Sequence, residues 1–97
     1  MTATTLRYEF GSSLSMDDVE ASLVLALVAV ESLHGETTVL LEPCHALDAA
    51  ARVCAIACDT PIGHDLNHLF AGFLRREFGP ESFSVRRIPE STNSAAA

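Results

Sequence analysis

TPIGHDLNHLFAGFLRREFGPESFSVRRI, running from Thr60 to Ile88, contains a change of apolar period that decides the fold. Leu66, Leu69, Phe70, Phe73 and Leu74 recur at helical spacing, near 3.6 residues per turn. Thr60 is a good N-cap, Pro61 suits the first helical position, and Gly79-Pro80 stops the helix. Beyond that stop, Phe83 and Val85 alternate with polar residues, so the same stretch predicts a last strand to about Ile88.

Working outward, Arg52 to Cys58 is a short run of small and β-branched residues with Pro61 just beyond, and it predicts a strand. Residues 44–51 read as a loop, in which Ala46–Ala51 has the composition for one helical turn. Thr37–Glu42 is rich in strand formers and is ended by Pro43. Before it, Ser15 is placed as an N-cap, Asp17 and Asp18 suit a first turn, and Leu14 and Val19 are spaced for a hydrophobic staple. That helix is expected to reach Leu33 or His34, with Gly35 as its stop. Leu6, Tyr8 and Phe10 alternate with Arg7 and Glu9, the pattern of a half-buried strand.

The predicted order is β-α-β-β-α-β. It matches a ferredoxin-like α+β arrangement, with two helices on one face of a four-stranded antiparallel sheet. The expected core is Leu6, Tyr8, Phe10, Val39, Leu41, Ile56, Leu66, Phe70, Phe73 and Val85. Residues 1–89 are expected to form a single domain, and 90–97 a disordered polar tail with nothing to bury.

The charge balance narrows function. Thirteen acids face six basic residues, for a net charge of −7. All six are Arg, so Schiff-base and P-loop lysine chemistry are excluded. The acidic excess argues against nucleic acid as a partner, because that affinity comes mostly from neutralising phosphates. Leu23–Val30 is the longest apolar run and is far too short to span a bilayer, so no membrane partner is expected. Met-Thr-Ala-Thr-Thr at the start lacks a basic region followed by an apolar run. With an odd cysteine count, this predicts free thiols and a cytoplasmic location.

Four residues stand out as ligand-binding candidates: Cys44, His45, His64 and His68. His64 and His68 are four apart and share a helix face, a spacing that can chelate a metal. Asp65 points elsewhere and no third ligand follows at a plausible spacing, so two solvent-facing histidines, no metal and no cofactor are expected. Cys44 and His45 are adjacent, which in an extended segment turns them to opposite sides, so His45 is poorly placed to activate the thiol and His64 or His68 would have to serve instead. Cys54 and Cys58 share one strand face at about 13 Å, beyond disulfide reach, and read as core packing. No catalytic residue is assigned. Arg75, Arg76, Arg86 and Arg87 flank one turn, where they can meet an acidic partner or a phosphate, or pair with Glu77 and Glu81. The strand residues expected to face outward are Arg7, Glu9, Ala55 and Ser84, without the aromatics of an RNA-binding sheet.

The first helix is the most informative segment. Val19, Ser22, Leu23, Ala26, Ala29, Val30 and Leu33 form a stripe sufficient for the core. With Glu20 at zero and about 100° per residue, Val24 falls near 40°, Leu27 near 340° and Val28 near 80°. Glu20, Val24, Leu27, Val28 and Glu31 then make an apolar ridge with an acidic rim, on the side away from the core. This predicts a non-enzymatic binding or assembly module, acting as a homo-oligomer or docking a protein partner. The rival readings are a small-molecule or metal-binding sensor using His64, His68 and Cys44, and a small enzyme with an active site built between subunits.

Overall fold

A computed structural model describes residues 4–37 and 44–89. In chain order the elements are β1 (Thr4–Phe10), α1 (Met16–His34), β2 (His45–Asp48), β3 (Val53–Ala57), α2 (Pro61–Phe78), a 3-10 turn (Pro80–Ser82) and β4 (Phe83–Pro89). The four strands form one antiparallel sheet in the order β2-β3-β1-β4. Among the described residues the protein is therefore α+β, with two long helices and a four-stranded antiparallel sheet.

Register shows which sheet face the helices cover. Tyr8 stands opposite Cys54 and Val85, and Leu6 opposite Ile56 and Arg87. Paired residues of antiparallel strands project to the same side, and sides alternate along each strand. Tyr8, Phe10, Cys54 and Ile56 thus share one face, and all are buried with Val19, Leu23, Ala26, Val30, Leu66, Phe70 and Leu74 from the helices. Tyr8 and Phe70 pack with ring centroids 5.0 Å apart, in the tilted geometry aromatic pairs favour.

The second strand is the main correction. It is His45–Asp48, inside the stretch read as a loop. Of the stretch expected as a strand, Thr37 is helical, while residues 38–42, with the expected core residues Val39 and Leu41, lie outside the described residues. The strand at 45–48 owes its place to pairing rather than propensity: His45 aligns with Ile56 and Asp48 with Val53. A tight turn closes this hairpin. Asp48 Oδ1 accepts from the Ala51 amide at 3.1 Å, and Arg52 takes a left-handed φ of 61°. The Arg52 guanidinium donates to the carbonyls of Gly11 and Leu14, tying this turn to the β1–α1 loop.

Helix ends follow their punctuation with one exception. Thr60 Oγ1 accepts from the Gly63 amide at 3.0 Å, Pro61 opens α2, and Gly79 ends it at φ 88°. Leu14 and Val19 are both buried, as a staple requires. Ser15, however, makes no side-chain capping bond. Gly63 has a packing role: a Cβ there would stand 2.1 Å from the Ala57 carbonyl oxygen, so only glycine lets α2 approach the end of β3.

The expected core needs three adjustments. Leu6 and Phe73 are partly buried and pack against the core rather than within it. Val85 is 40% exposed, although its register turns it toward the helices. It sits on an edge strand that the helix layer does not reach. Leu33, at the last turn of α1, is 68% exposed. The tail 90–97 lies outside the described residues.

Candidate functional site

The uncovered part of the sheet opens a cleft of about 550 Å³ between α2 and β4. Leu6, Tyr8 and Val85 form its floor, and Arg87 rises from β4 at its edge. His64, His68, Ala71 and Arg75 line the α2 side, at helical spacings of four, three and four that put them on one face. Cys58 also lines the cleft, so it is not the core residue expected from its strand position. Cys54 does belong to the core, and burial pushes its thiol up to about 12.

The two histidines stack, with ring centroids 6.4 Å apart and an interplanar angle of 11°. Asp65 does not point away from them as the sequence reading held. Its Oδ1 lies 3.4 Å from His64 Nδ1, and its Oδ2 2.8 Å from His34 Nε2 at the end of α1. Hydrogen bonds from His34, then from His64, hold this carboxyl below the usual aspartate range. Cys44 and His45 do not join His64 and His68. They lie at β2, on the opposite edge of the sheet from β4. There the Cys44 carbonyl accepts from the Ala57 amide at 2.8 Å. Among the described residues, no group of three or more His, Cys, Asp or Glu is placed to hold a metal ion.

Asn67 was missed by the sequence reading. Its side chain is buried against the back of the cleft, where Oδ1 accepts from the Tyr8 hydroxyl at 2.7 Å. Its amide nitrogen donates to the Gly63 carbonyl at 2.9 Å and the Ala57 carbonyl at 3.3 Å. One side chain thus joins β1, β3 and α2. The available signal was its spacing: Asn67 is four residues from Gly63 and four from Ala71, small neighbours that leave room for a buried amide.

The four clustered arginines separate in space. Arg86 bonds Glu9 at 2.7 Å on the open sheet face, where Arg7 also reaches Glu9 at 3.0 Å. Arg86, then Arg7, hold the Glu9 carboxyl below its usual range. Arg75 and Arg87 border the cleft, and Arg76 lies in a second groove. By register the open face carries Thr5, Arg7, Glu9, Ala55, Ser84, Arg86 and Ile88, with no aromatic among them.

On α1 the buried stripe is Val19, Ser22, Leu23, Ala26 and Val30. Val24, Leu25 and Val28 are 51%, 62% and 52% exposed on the opposite side. Leu27 is partly buried and packs against the core, so Leu25 takes its place in the ridge. Glu20 is exposed at the rim and Glu31 is half-buried there. Ala21 and Leu25 also border the second groove, of about 440 Å³, whose far side is Phe73 and Phe78 of α2. No helix among the described residues is long and apolar enough to cross a membrane. Compared with known proteins, the chain matches no family model, no curated protein and no solved structure.

Proposed function

We propose that this protein is a non-enzymatic assembly module that pairs with a second copy of itself through the outer face of α1. The observation that carries the reading is the exposed apolar ridge of Val24, Leu25 and Val28, set opposite the buried stripe of the same helix. Large apolar side chains in contiguous stripes on soluble domains mark contact surfaces.

The position of the ridge favours a second copy as the occupant. Leu25 is nine residues from each end of α1, which runs from residue 16 to residue 34. Two antiparallel copies crossing at their midpoints bring each ridge onto its own image, as an isologous twofold contact requires. Phe73 and Phe78 across the neighbouring groove extend the apolar surface beside Leu25. About half of each ridge side chain remains to be buried, worth on the order of 1 kcal/mol apiece. Six across a twofold supply on the order of 6 kcal/mol, against an association cost of about 4 kcal/mol or more. The dimer is therefore weak and concentration-dependent.

The β-α-β-β-α-β order with a β2-β3-β1-β4 sheet supports a ferredoxin-like reading of the fold. The exposed residues of α1 lie on the helix layer, so this pairing leaves the open sheet face uncovered. The thiols of Cys54 and Cys58 support a reducing, cytoplasmic setting.

A cross-linking experiment tests the contact. In a Cys44→Ser, Cys58→Ser background, Leu25→Cys should form a disulfide-linked dimer on mild oxidation. Ala55→Cys, on the open sheet face, should not. Equal cross-linking at both positions, or none at Leu25→Cys, overturns the twofold contact.

A further inference from the structure

We propose that the cleft between α2 and β4 binds a small organic anion. Its charge would be met by Arg75 from the helix and Arg87 from the strand, and its apolar part would lie on Leu6, Ala71 and Val85. This site is separate from the α1 ridge and does not depend on assembly.

The argument starts from where the arginines are used. Arg7 and Arg86 are engaged by Glu9, and Arg52 by the carbonyls of Gly11 and Leu14. Arg75 and Arg87 have no ion pair among the described residues, and both border the same cleft. In a chain with thirteen acids to six arginines, carboxylates are plentiful, yet among the described residues none lines this cleft. Asp65, next to the lining residue His64, is occupied by His34 and His64. His64 and His68 complete a lining whose ionisable side chains are otherwise two guanidiniums, one thiol and one phenol.

The cleft also has the form of a small-molecule site. Its volume of about 550 Å³ falls within the usual span of ligand pockets, and apolar side chains make most of its floor. Val85 is held on the helix side of the sheet but is left 40% exposed, so apolar surface is waiting at the base. The polar groups at the back, Tyr8 and Asn67, are already bonded to each other. A ligand therefore gains little from them and must be held by its charge and its apolar part. Guanidinium pairing with a carboxylate or phosphate supplies the charged contact.

Nuclear magnetic resonance titration of the labelled protein tests this, with sodium hexanoate, hexyl phosphate and neutral hexanol as probes. Either anion should shift the amides of Leu6, Ala71, Arg75 and Val85 at millimolar concentration. The tighter of the two names the head group, and both outcomes support the site. Hexanol should bind about tenfold more weakly, as should hexanoate to an Arg75→Gln, Arg87→Gln double variant. Both arginines are exposed, so that variant should melt like wild type. Val85→Trp provides an independent check, because its indole covers the apolar floor on which the ligand's apolar part would lie without changing charge, and it should weaken the shifts as well. Anion shifts that centre on Arg76 and Arg86, or hexanol binding as tightly as hexanoate, overturn the proposal. So does the absence of shifts with either anion.

Discussion

The Tyr8 hydroxyl donates to Asn67 Oδ1 at 2.7 Å, joining the central strand β1 to helix α2 inside the core. Both side chains are buried, and burial first, then the neighbouring Cys54 and Cys58, push the Tyr8 phenol well above its usual range. Asn67→Ala strips a partner from Tyr8 and from the Gly63 and Ala57 carbonyls, and should cost about 2–4 kcal/mol. Tyr8→Phe should cost about 1–2 kcal/mol. Urea unfolding of both single variants and the double variant should give a double-variant loss smaller than the sum. Strict additivity would mean that the two side chains do not depend on each other.

Gly63 should tolerate no side chain. The Cβ of Gly63→Ala would stand 2.1 Å from the Ala57 carbonyl oxygen, a backbone atom that cannot rotate away. Thermal melting should register a loss of about 1–3 kcal/mol, even though alanine is the better helix former. Gly72→Ala in the same helix meets nothing within 4 Å and should be neutral or stabilising. An equal effect at both positions would contradict the close approach of α2 to β3.

At Arg52, two substitutions should differ in a defined order. Arg52→Ala loses the guanidinium bonds to Gly11 and Leu14 and keeps the cost of φ 61°. Arg52→Gly loses the same bonds and relieves the left-handed backbone, a difference of about 1 kcal/mol. Both should be less stable than wild type, with Arg52→Gly the better of the two in urea unfolding. If Arg52→Ala equals wild type, the clamp between the hairpin turn and the β1–α1 loop contributes nothing.

Glu9 should titrate below an ordinary glutamate, because Arg86 and Arg7 hold its ionised form. A carboxyl lowered in the folded state contributes stability above its unfolded value and loses it as pH falls through the folded one. The contribution is small, since this pair is exposed. Carbon-detected titration should place the Glu9 midpoint low, and Arg86→Gln should raise it. An unchanged midpoint in that variant would show that the bond is not maintained in solution.

Much of the layer plan was legible because local chemistry marks it. Thr60, Pro61 and Gly79 bound α2, and alternation of Leu6, Tyr8 and Phe10 placed β1. The strand at His45–Asp48 was not legible. Its residues have weak strand preference, and they are held by β3 and by a turn whose left-handed position carries Arg52 instead of glycine. The ridge was found one side chain out. The buried stripe of α1 centres about 15° further round than the one drawn from spacing, toward Leu27 and away from Leu25, so Leu27 joins the core flank and Leu25 the ridge. His64, His68, Arg75 and Arg87 stood out in the sequence, but not as the lining of one cleft, which exists only where α2 falls short of the edge strand β4.

The most direct test of assembly through α1 is sedimentation equilibrium of the wild type beside a Val24→Glu, Val28→Glu variant, at low and high salt. Both substituted residues are exposed, so the variant should keep its fold and its melting temperature. The wild type should pass from monomer to dimer with rising concentration. Salt should favour its dimer, because Glu20 of one copy meets Glu31 of the other and each chain carries a net charge of −7. The variant should remain monomeric throughout. A wild type that stays monomeric at the highest concentration in high salt, or a variant that dimerises equally well, would contradict the account.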